Sequence, residues 1–354
     1  MPEGKALTAT EAKALLELVS SQKDSDKAIA TRLGMAPSNF AVVKRRLQDK
    51  GVLLEHIRMN PHRIPDIKVA AFVWIEYNKP IRKAFAANLT KIRETYPHAY
   101  THGSLDWSLN VSYYSSFEAS ESARLRMAEK LFTSEVFRPL ISSHVWKTVP
   151  IAHLARCDFM GRFVAQAVGH EKHFDHKVLF ANCQYPVAPE QVARLNDTEK
   201  RVLIALRKHP QLKKSEIAAK VGIQQSTLSE IFKTLQRKGV ISHVRTIDPK
   251  MLPGSEIATI TWVEMKRPIV EDMEESVGQL AMKIPQLYRI YYTRTFMLVE
   301  SLFSSLDKAE SAHLALLGIL GDNVKALNFK IVPCAHLSTE YHSYFLEQLF
   351  EQKG

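Results

Sequence analysis

The stretch Asp197–Leu252 reads DTEKRVLIALRKHPQLKKSEIAAKVGIQQSTLSEIFKTLQRKGVISHVRTIDPKML. Apolar residues recur in it at helical spacing in three runs, and Gly222 separates the second run from the third. The pattern predicts helices over 198–208, 215–221 and 226–238. Gly239 then closes the last helix, and a strand over 240–247 comes next. Three helices with a tight turn between the second and third, succeeded by a strand and the turn Asp248-Pro249, is the order of a winged helix-turn-helix.

The same device is written once before, 188 residues earlier and without a gap over about 55 residues. Leu7-Thr8-Ala9-Thr10-Glu11 answers Leu195-Asn196-Asp197-Thr198-Glu199, Gly34 answers Gly222, Gly51-Val52 answers Gly239-Val240, and Asn60-Pro61 answers Asp248-Pro249. Helices are predicted over 10–21, 26–33 and 37–50, with a strand over 52–58. The segment C-terminal to each copy is duplicated as well. Apolar strands are expected over 69–76 and 257–264, helices over 83–96 and 270–284, and paired strands over 100–114 and 288–303. Helices over 120–132 and 307–320 and strands over 143–148 and 326–331 complete each half. The order βαββαβ predicts a ferredoxin-like sandwich, so the fold class is α+β.

Both halves close on Val-Pro-x-Ala-His-Leu, at 149–154 and 332–337, and an amphipathic tail helix is expected after each. Tyr341, Tyr344, Phe345, Leu349 and Phe350 form a stripe in the second tail that suits internal packing. The expected domains are a winged helix over 1–65, a sandwich with tail over 66–168 and a linker over 169–194. A second winged helix over 195–252 and a second sandwich with tail over 253–354 complete the chain.

The charge respects this division. The 354-residue chain has a net charge of +11. Residues 1–65 hold 11 Lys and Arg against 7 Asp and Glu, and residues 195–252 hold 12 against 5, so the rest of the chain is balanced. Positive charge confined to two matching modules points to a polyanion partner. No apolar run is long enough to span a membrane, and the first residues carry no apolar signal segment. The cysteines, Cys157, Cys183 and Cys334, form no CxxC pair and are expected as reduced thiols of a cytoplasmic, nucleoid-associated protein. No P-loop, nucleophile elbow or dinucleotide fingerprint occurs, so no cofactor is expected.

On these residues the chain resembles the Lrp/AsnC (feast/famine) transcription regulators. The quoted stretch is similar to that family's winged helix and its exit into the hinge strand, and the βαββαβ part to its ligand-sensing and dimerising domain. His102–Val111, HGSLDWSLNV, is similar to the family's Gly-x-x-Asp turn, with Gly103 and Asp106 in the two positions. The resemblance implies a sequence-specific regulator of double-stranded DNA that is not an enzyme. An amino acid or related small metabolite would act at Gly103 and Asp106. One chain would make the pseudo-dimer that ordinary members build from two, with further homodimers or larger assemblies. In the second half the Gly and Asp positions align with Tyr292 and Thr295, so the effector pocket is not expected there. Sirohaem decarboxylases look like the same architecture turned to catalysis, and His98, Tyr100, His102, Tyr288, Arg289 and Tyr291 lie where a tetrapyrrole cleft would be lined. An architectural DNA binder is the other alternative.

A recognition helix offers polar groups to base edges from its N-terminal end. In the second copy these are Gln224, Gln225, Ser226, Thr227 and Ser229, with Lys233, Arg237 and Lys238 placed for phosphates. The first copy offers Ser38, Asn39, Lys44, Arg45 and Arg46, while Phe40 is expected in the core. Strand and turn charges add His56, Arg58, His62 and Arg63, and His243, Arg245 and Lys250. The second copy is expected to dominate sequence reading. In the linker, His170, His173 and His176 have spacings that can hold a divalent metal, although a solvated polar linker is the simpler reading. The repeated His153 and His336 are expected to cap or bond the sheet.

Overall fold

The computed structural model describes the chain apart from residues 1–6, 23, 79–97, 105, 136–137, 170–182, 211, 270–271, 285, 342–343 and 352–354. The helix expected over 83–96 and the run of His170, His173 and His176 lie outside the described residues.

The first half runs through helices Ala9–Ser20 (α1), Asp26–Arg32 (α2) and Pro37–Asp49 (α3) into the strand Leu53–Met59 (β1). Strands Val69–Tyr77 (β2), His98–Gly103 (β3) and Trp107–Tyr114 (β4) lead to helix Phe117–Thr133 (α4). Strands Ile141–Pro150 (β5) and Ala155–Asp158 (β6) and helix Met160–Ala167 (α5) come after it. The second half runs through Asp197–Lys208 (α6), Lys214–Val221 (α7) and Gln225–Arg237 (α8) into Ile241–Ile247 (β7). Then come Ile257–Met265 (β8), Met273–Lys283 (α9), Leu287–Tyr292 (β9) and Phe296–Phe303 (β10). Leu306–Leu320 (α10), Val324–Pro333 (β11), Ser338–Tyr341 (β12) and Tyr344–Glu351 (α11) complete the order. The architecture is winged helix-turn-helix segments with ferredoxin-like sheets. Among the described residues no helix is long and apolar enough to cross a membrane.

Local chemistry explains the helix starts. The Thr8 hydroxyl accepts the Glu11 N–H while the Glu11 carboxylate accepts the Thr8 N–H, and Asn196 and Glu199 exchange the same two bonds. Each box satisfies donors that the first helical turn leaves orphaned. The turn between α7 and α8 is made by Gly222 at φ 74, a conformation that a side chain disfavours.

Two five-stranded sheets have the orders β5-β2-β4-β3-β12 and β11-β8-β10-β9-β6, and all their strand pairs are antiparallel. The fifth strand of each comes from the far half of the chain. β6 is next after β5 in sequence but pairs with β9, Ala155 opposite Tyr292, while β12 is next after β11 but pairs with β3, Ser338 opposite Gly103. A short strand therefore precedes each tail helix, where the sequence suggested helix alone.

The chain accordingly divides into two interleaved compact units. Unit 1 is Met1–His56, Leu154–Tyr185 and His243–Ala335. Unit 2 is Ile57–His153, Pro186–Ser242 and His336–Gly354. Strands β1 and β7 pair with each other. In unit 1 the Asp248 N–H donates to the Val52 carbonyl, and in unit 2 the Asn60 N–H donates to the Val240 carbonyl.

Unit 1 centres on Val263, Val277, Ile290, Tyr292 and Met297, all buried. A buried ionic chain ties β6 to this core. Arg289 reaches Asp158 at 2.6 Å and Glu300 at 3.2 Å, and Arg156 reaches Asp158 at 3.3 Å. Burial works against the Arg289 charge, but Glu300 and Asp158 outweigh it and hold its pKa well above the ordinary value. Unit 2 packs Val73, Ile75 and Tyr77 of β2 against Met127 and Leu131 of α4. Its α11 buries Leu346 and Leu349 and lies against α6, where Lys208 pairs with Glu347 at 3.0 Å.

Two expectations are corrected here. Cys157 and Cys183 are bonded as a disulfide, and only Cys334 is free. The pairing arises from a bridge that the spacing of 26 residues did not reveal, because Arg156 and Gln184 exchange N–H to carbonyl bonds at 2.9 and 2.7 Å. His153 and His336 sit on short 3-10 turns with exposed side chains, so they do not bond the sheet through their rings. The apolar neighbours Leu154 and Leu337 are the buried anchors.

Candidate nucleic-acid interface

Helix α8 is held from below by Leu228, Phe232 and Leu235, which are buried at spacings of four and three. The opposite face is open. Gln224, Gln225, Ser226 and Thr227 are all exposed, and none of Gln224, Gln225 and Ser226 is used as a side-chain cap. Ser229, half-buried, donates its hydroxyl to the Gln225 carbonyl at 2.9 Å. Lys233 and Arg237 are exposed further along. Lys233 has Glu230 at 2.7 Å, and Arg237 donates to the Thr234 hydroxyl at 3.0 Å. Helix α7 and the residue before it add Lys213, Lys214 and Lys220, all exposed, which the sequence pattern does not single out. Lys214 lies over the Phe232 ring, 4.6 Å from its centroid, and so connects this cationic rim to the buried face of α8.

Lys238 is placed differently from its expected role at phosphates. Its ammonium donates to both Glu199 oxygens, at 2.6 and 2.8 Å, and to the Arg194 carbonyl. The Glu199 side chain is only 4% exposed, so Lys238 neutralises a buried acid of the α6 capping box. Lys50 does the same for Glu11 at 2.7 Å in the first winged helix.

The first winged helix presents another surface. Ser38, Asn39, Arg45 and Arg46 are exposed, and Phe40 is buried, as expected. Lys44 is bound at 2.8 Å to Asp26 and at 2.8 Å to Glu55. Arg245, expected at DNA, is buried in unit 1 instead, where it serves the Ser21 and Asp24 carbonyls and the Asp26 carboxylate. Both are corrections with one cause. Asp24, Asp26 and Glu55 gather around these cations, and a buried cation keeps its charge only beside such partners. Arg32 is likewise paired with Glu17 and Asp24.

Of the strand and turn charges, Arg58 is half-buried on β1, and Arg63 donates to the Gln191 carbonyl at 2.7 Å. His243 and Lys250 are exposed. His62 is a correction, because it is 5% exposed in unit 2. Burial pushes its pKa down to about 4 against the hydrogen bond at the Ile151 backbone, so at neutral pH it carries no charge.

Gly103 pairs with Ser108 at the tip of the β3–β4 hairpin, and a Cβ there would come within 2.8 Å of the Trp107 carbonyl oxygen. Asp106 accepts from the Ser104 hydroxyl at 3.2 Å, and its backbone carbonyl accepts the Tyr77 N–H. Local hairpin geometry thus accounts for both residues. The residues proposed for a tetrapyrrole cleft do not lie together in one unit. His102 belongs to unit 2, while Tyr288, Arg289 and Tyr291 belong to unit 1, where Arg289 is committed to its ion pairs.

Comparison with known proteins bears on the fold. The family described as winged helix-turn-helix DNA-binding matches residues 195–242. No curated protein matches the chain in sequence. Two solved structures are similar over its whole length, both of the siroheme decarboxylase NirDL. One has 12% identity, covers 96% of this chain and 97% of that one, and has a TM-score of 0.48. The other, in complex with an iron-uroporphyrin III analogue, has 10% identity, coverage of 97% and 100%, and a TM-score of 0.48. AsnC of E. coli is similar at 16% identity and a TM-score of 0.29, over 40% of this chain and 93% of its own. A transcriptional regulator of Neisseria meningitidis in complex with L-Met has 15% identity, a TM-score of 0.31 and coverage of 41% and 90%. The expectation that the chain is not an enzyme is corrected by the two end-to-end matches, which are of an enzyme.

Proposed function

We propose that this protein is a transcription regulator of Lrp/AsnC type that reads duplex DNA through α8 in the cytoplasm, at the chromosome. The observation that carries this reading is the exposed run Gln224-Gln225-Ser226-Thr227 at the start of a helix whose other face is buried. Gln bonds adenine through two groups, and Ser and Thr reach several base edges. Lys213, Lys214, Lys220, Lys233 and Arg237 around it supply the phosphate contacts that fix register. The two winged helices differ in sequence, so the preferred site is asymmetric rather than a palindrome.

The test is immunoprecipitation of the tagged protein with sequencing of the bound DNA, repeated with Gln225, Thr227 and Lys233 changed to Ala. Discrete promoter peaks that vanish in the variant are expected. Broad coverage would place the protein among architectural DNA binders, and absence of enrichment would overturn the DNA reading.

A further inference from the structure

The second sandwich, in unit 1, holds a cleft of about 770 Å³ between α9, the C-terminal end of α10 and the loop after β8. Its floor is apolar. Leu280 and Met297 are buried, and Ile319 and Ile269 close the sides. Its mouth is cationic, because Lys266 and Arg267 stand exposed on the loop. That loop is held in place. The Lys266 ammonium donates to the Asp322 carbonyl at 2.9 Å, and the Arg267 N–H donates to the Asn323 side chain, which donates back to the Arg267 carbonyl. Among the described residues the Arg267 guanidinium has no ion pair.

A second observation points to a ligand. Ser276 lines the cleft and is 9% exposed, and its hydroxyl has no hydrogen-bond partner. A buried hydroxyl without a partner is costly, and a ligand oxygen would satisfy it. The charge balance selects the ligand's sign, since two cations face one acid, Asp322. The floor excludes a wholly polar anion such as inorganic phosphate, which would leave the apolar surface wet. Clefts of this size suit ligands larger than a free amino acid.

We propose that this cleft binds an amphiphilic monocarboxylate, its head between Lys266, Arg267 and the Ser276 hydroxyl and its apolar body over Leu280 and Met297. The site lies away from the β3–β4 hairpin and from both recognition helices in sequence. The proposal therefore stands or falls independently of the DNA reading.

The test uses the full chain without DNA. Sodium decanoate, kept below its micelle-forming concentration, is titrated by calorimetry against wild type, the double variant Lys266→Ala/Arg267→Ala, and Ser276→Val. Saturable binding by wild type is expected, with the double variant weaker by about tenfold or more, as for loss of a charge-assisted bond. Ser276→Val is expected to weaken binding by a smaller factor. Decanol, with the same body and no charge, is expected to bind at least about tenfold more weakly than decanoate. The altered cations are exposed, so the double variant should keep the wild-type melting temperature. Absence of saturable binding, a double variant that binds like wild type, or decanol binding as well as decanoate each overturns the proposal.

Discussion

The two winged helices share their framework and differ in what they do with charge. Each has a capping box whose buried Glu is neutralised by a Lys after the third helix, Glu11 by Lys50 and Glu199 by Lys238. Around that constant part the corresponding residues diverge. Asp24, Asp26 and Glu55 of the first stand where the second has Leu212, Lys214 and His243. In the first copy these acids bind Arg32 and Lys44, and Arg245 of the second copy, so two of its cations are held within unit 1 while Arg45 and Arg46 stay exposed. In the second, Lys214 rests on Phe232 at the position of Lys44, and the neighbouring lysines remain open to solvent. The helix entries diverge as well, with Ala36-Pro37 against the polar Gln224-Gln225. Net charge alone, positive in both, hides this contrast. A cation locked in a buried pair contributes to the fold and little to the field that a phosphate backbone meets.

The largest expected effect tests that contrast directly. Changing Gln224, Gln225, Ser226 and Thr227 together to Ala should weaken specific DNA binding by about a hundredfold or more, since several base contacts of about 1–3 kcal/mol each are lost. Changing Ser38, Asn39 and Arg45 to Ala should cost less than about threefold. Equal losses measured by fluorescence anisotropy would erase the distinction between the copies.

Next in size is Arg245→Ala. It removes the donor to the Ser21 and Asp24 carbonyls and one of the two cations at Asp26 and Glu55, which keep Lys44, and should destabilise unit 1 by about 1–3 kcal/mol, read from urea unfolding at neutral pH. A variant that melts like wild type but binds DNA poorly would return Arg245 to the interface.

The pH dependence of unit 2 comes third. His62 titrates near 6.5 when unfolded and near 4 when folded, so the unfolded chain takes up the proton first as pH falls. Its contribution is fully present above 6.5 and is lost progressively down to about 4, a change of about 3 kcal/mol at most. His62→Gln should flatten the stability profile between those limits. A profile that is unchanged would mean that the histidine is not buried.

The smallest effect is on salt dependence. Lys233→Ala should lower the slope of log K against log salt by about 1, whereas Lys44→Ala should leave it unchanged.

Much of the fold was legible in the sequence for identifiable reasons. The α-helix periods, the turn at Gly222 and the buried Phe40 are local or nearly so, and local pattern determines them. The exposed entry Gln224–Thr227 was legible because the apolar positions Leu228, Phe232 and Leu235 set the helix phase. Lys44 and Arg245 were misread because the acids that hold them lie 18 and 219 residues away. The cleft of Lys266, Arg267 and Ser276 carries no motif, since its polar groups come from a loop and a helix that only the fold brings together.

The sequence by itself determined the elements, their order and the confinement of positive charge to two modules, because periodicity and composition are properties of neighbouring residues. Tertiary structure decided which partner each element took. β6 and β12 have four residues each and too little apolar surface to choose a sheet locally, and the sheet edge each completes belongs to the other half of the chain. Tertiary structure likewise decided which cations face solvent and which are held by acids distant in sequence, and the Arg156–Gln184 bridge joined Cys157 to Cys183.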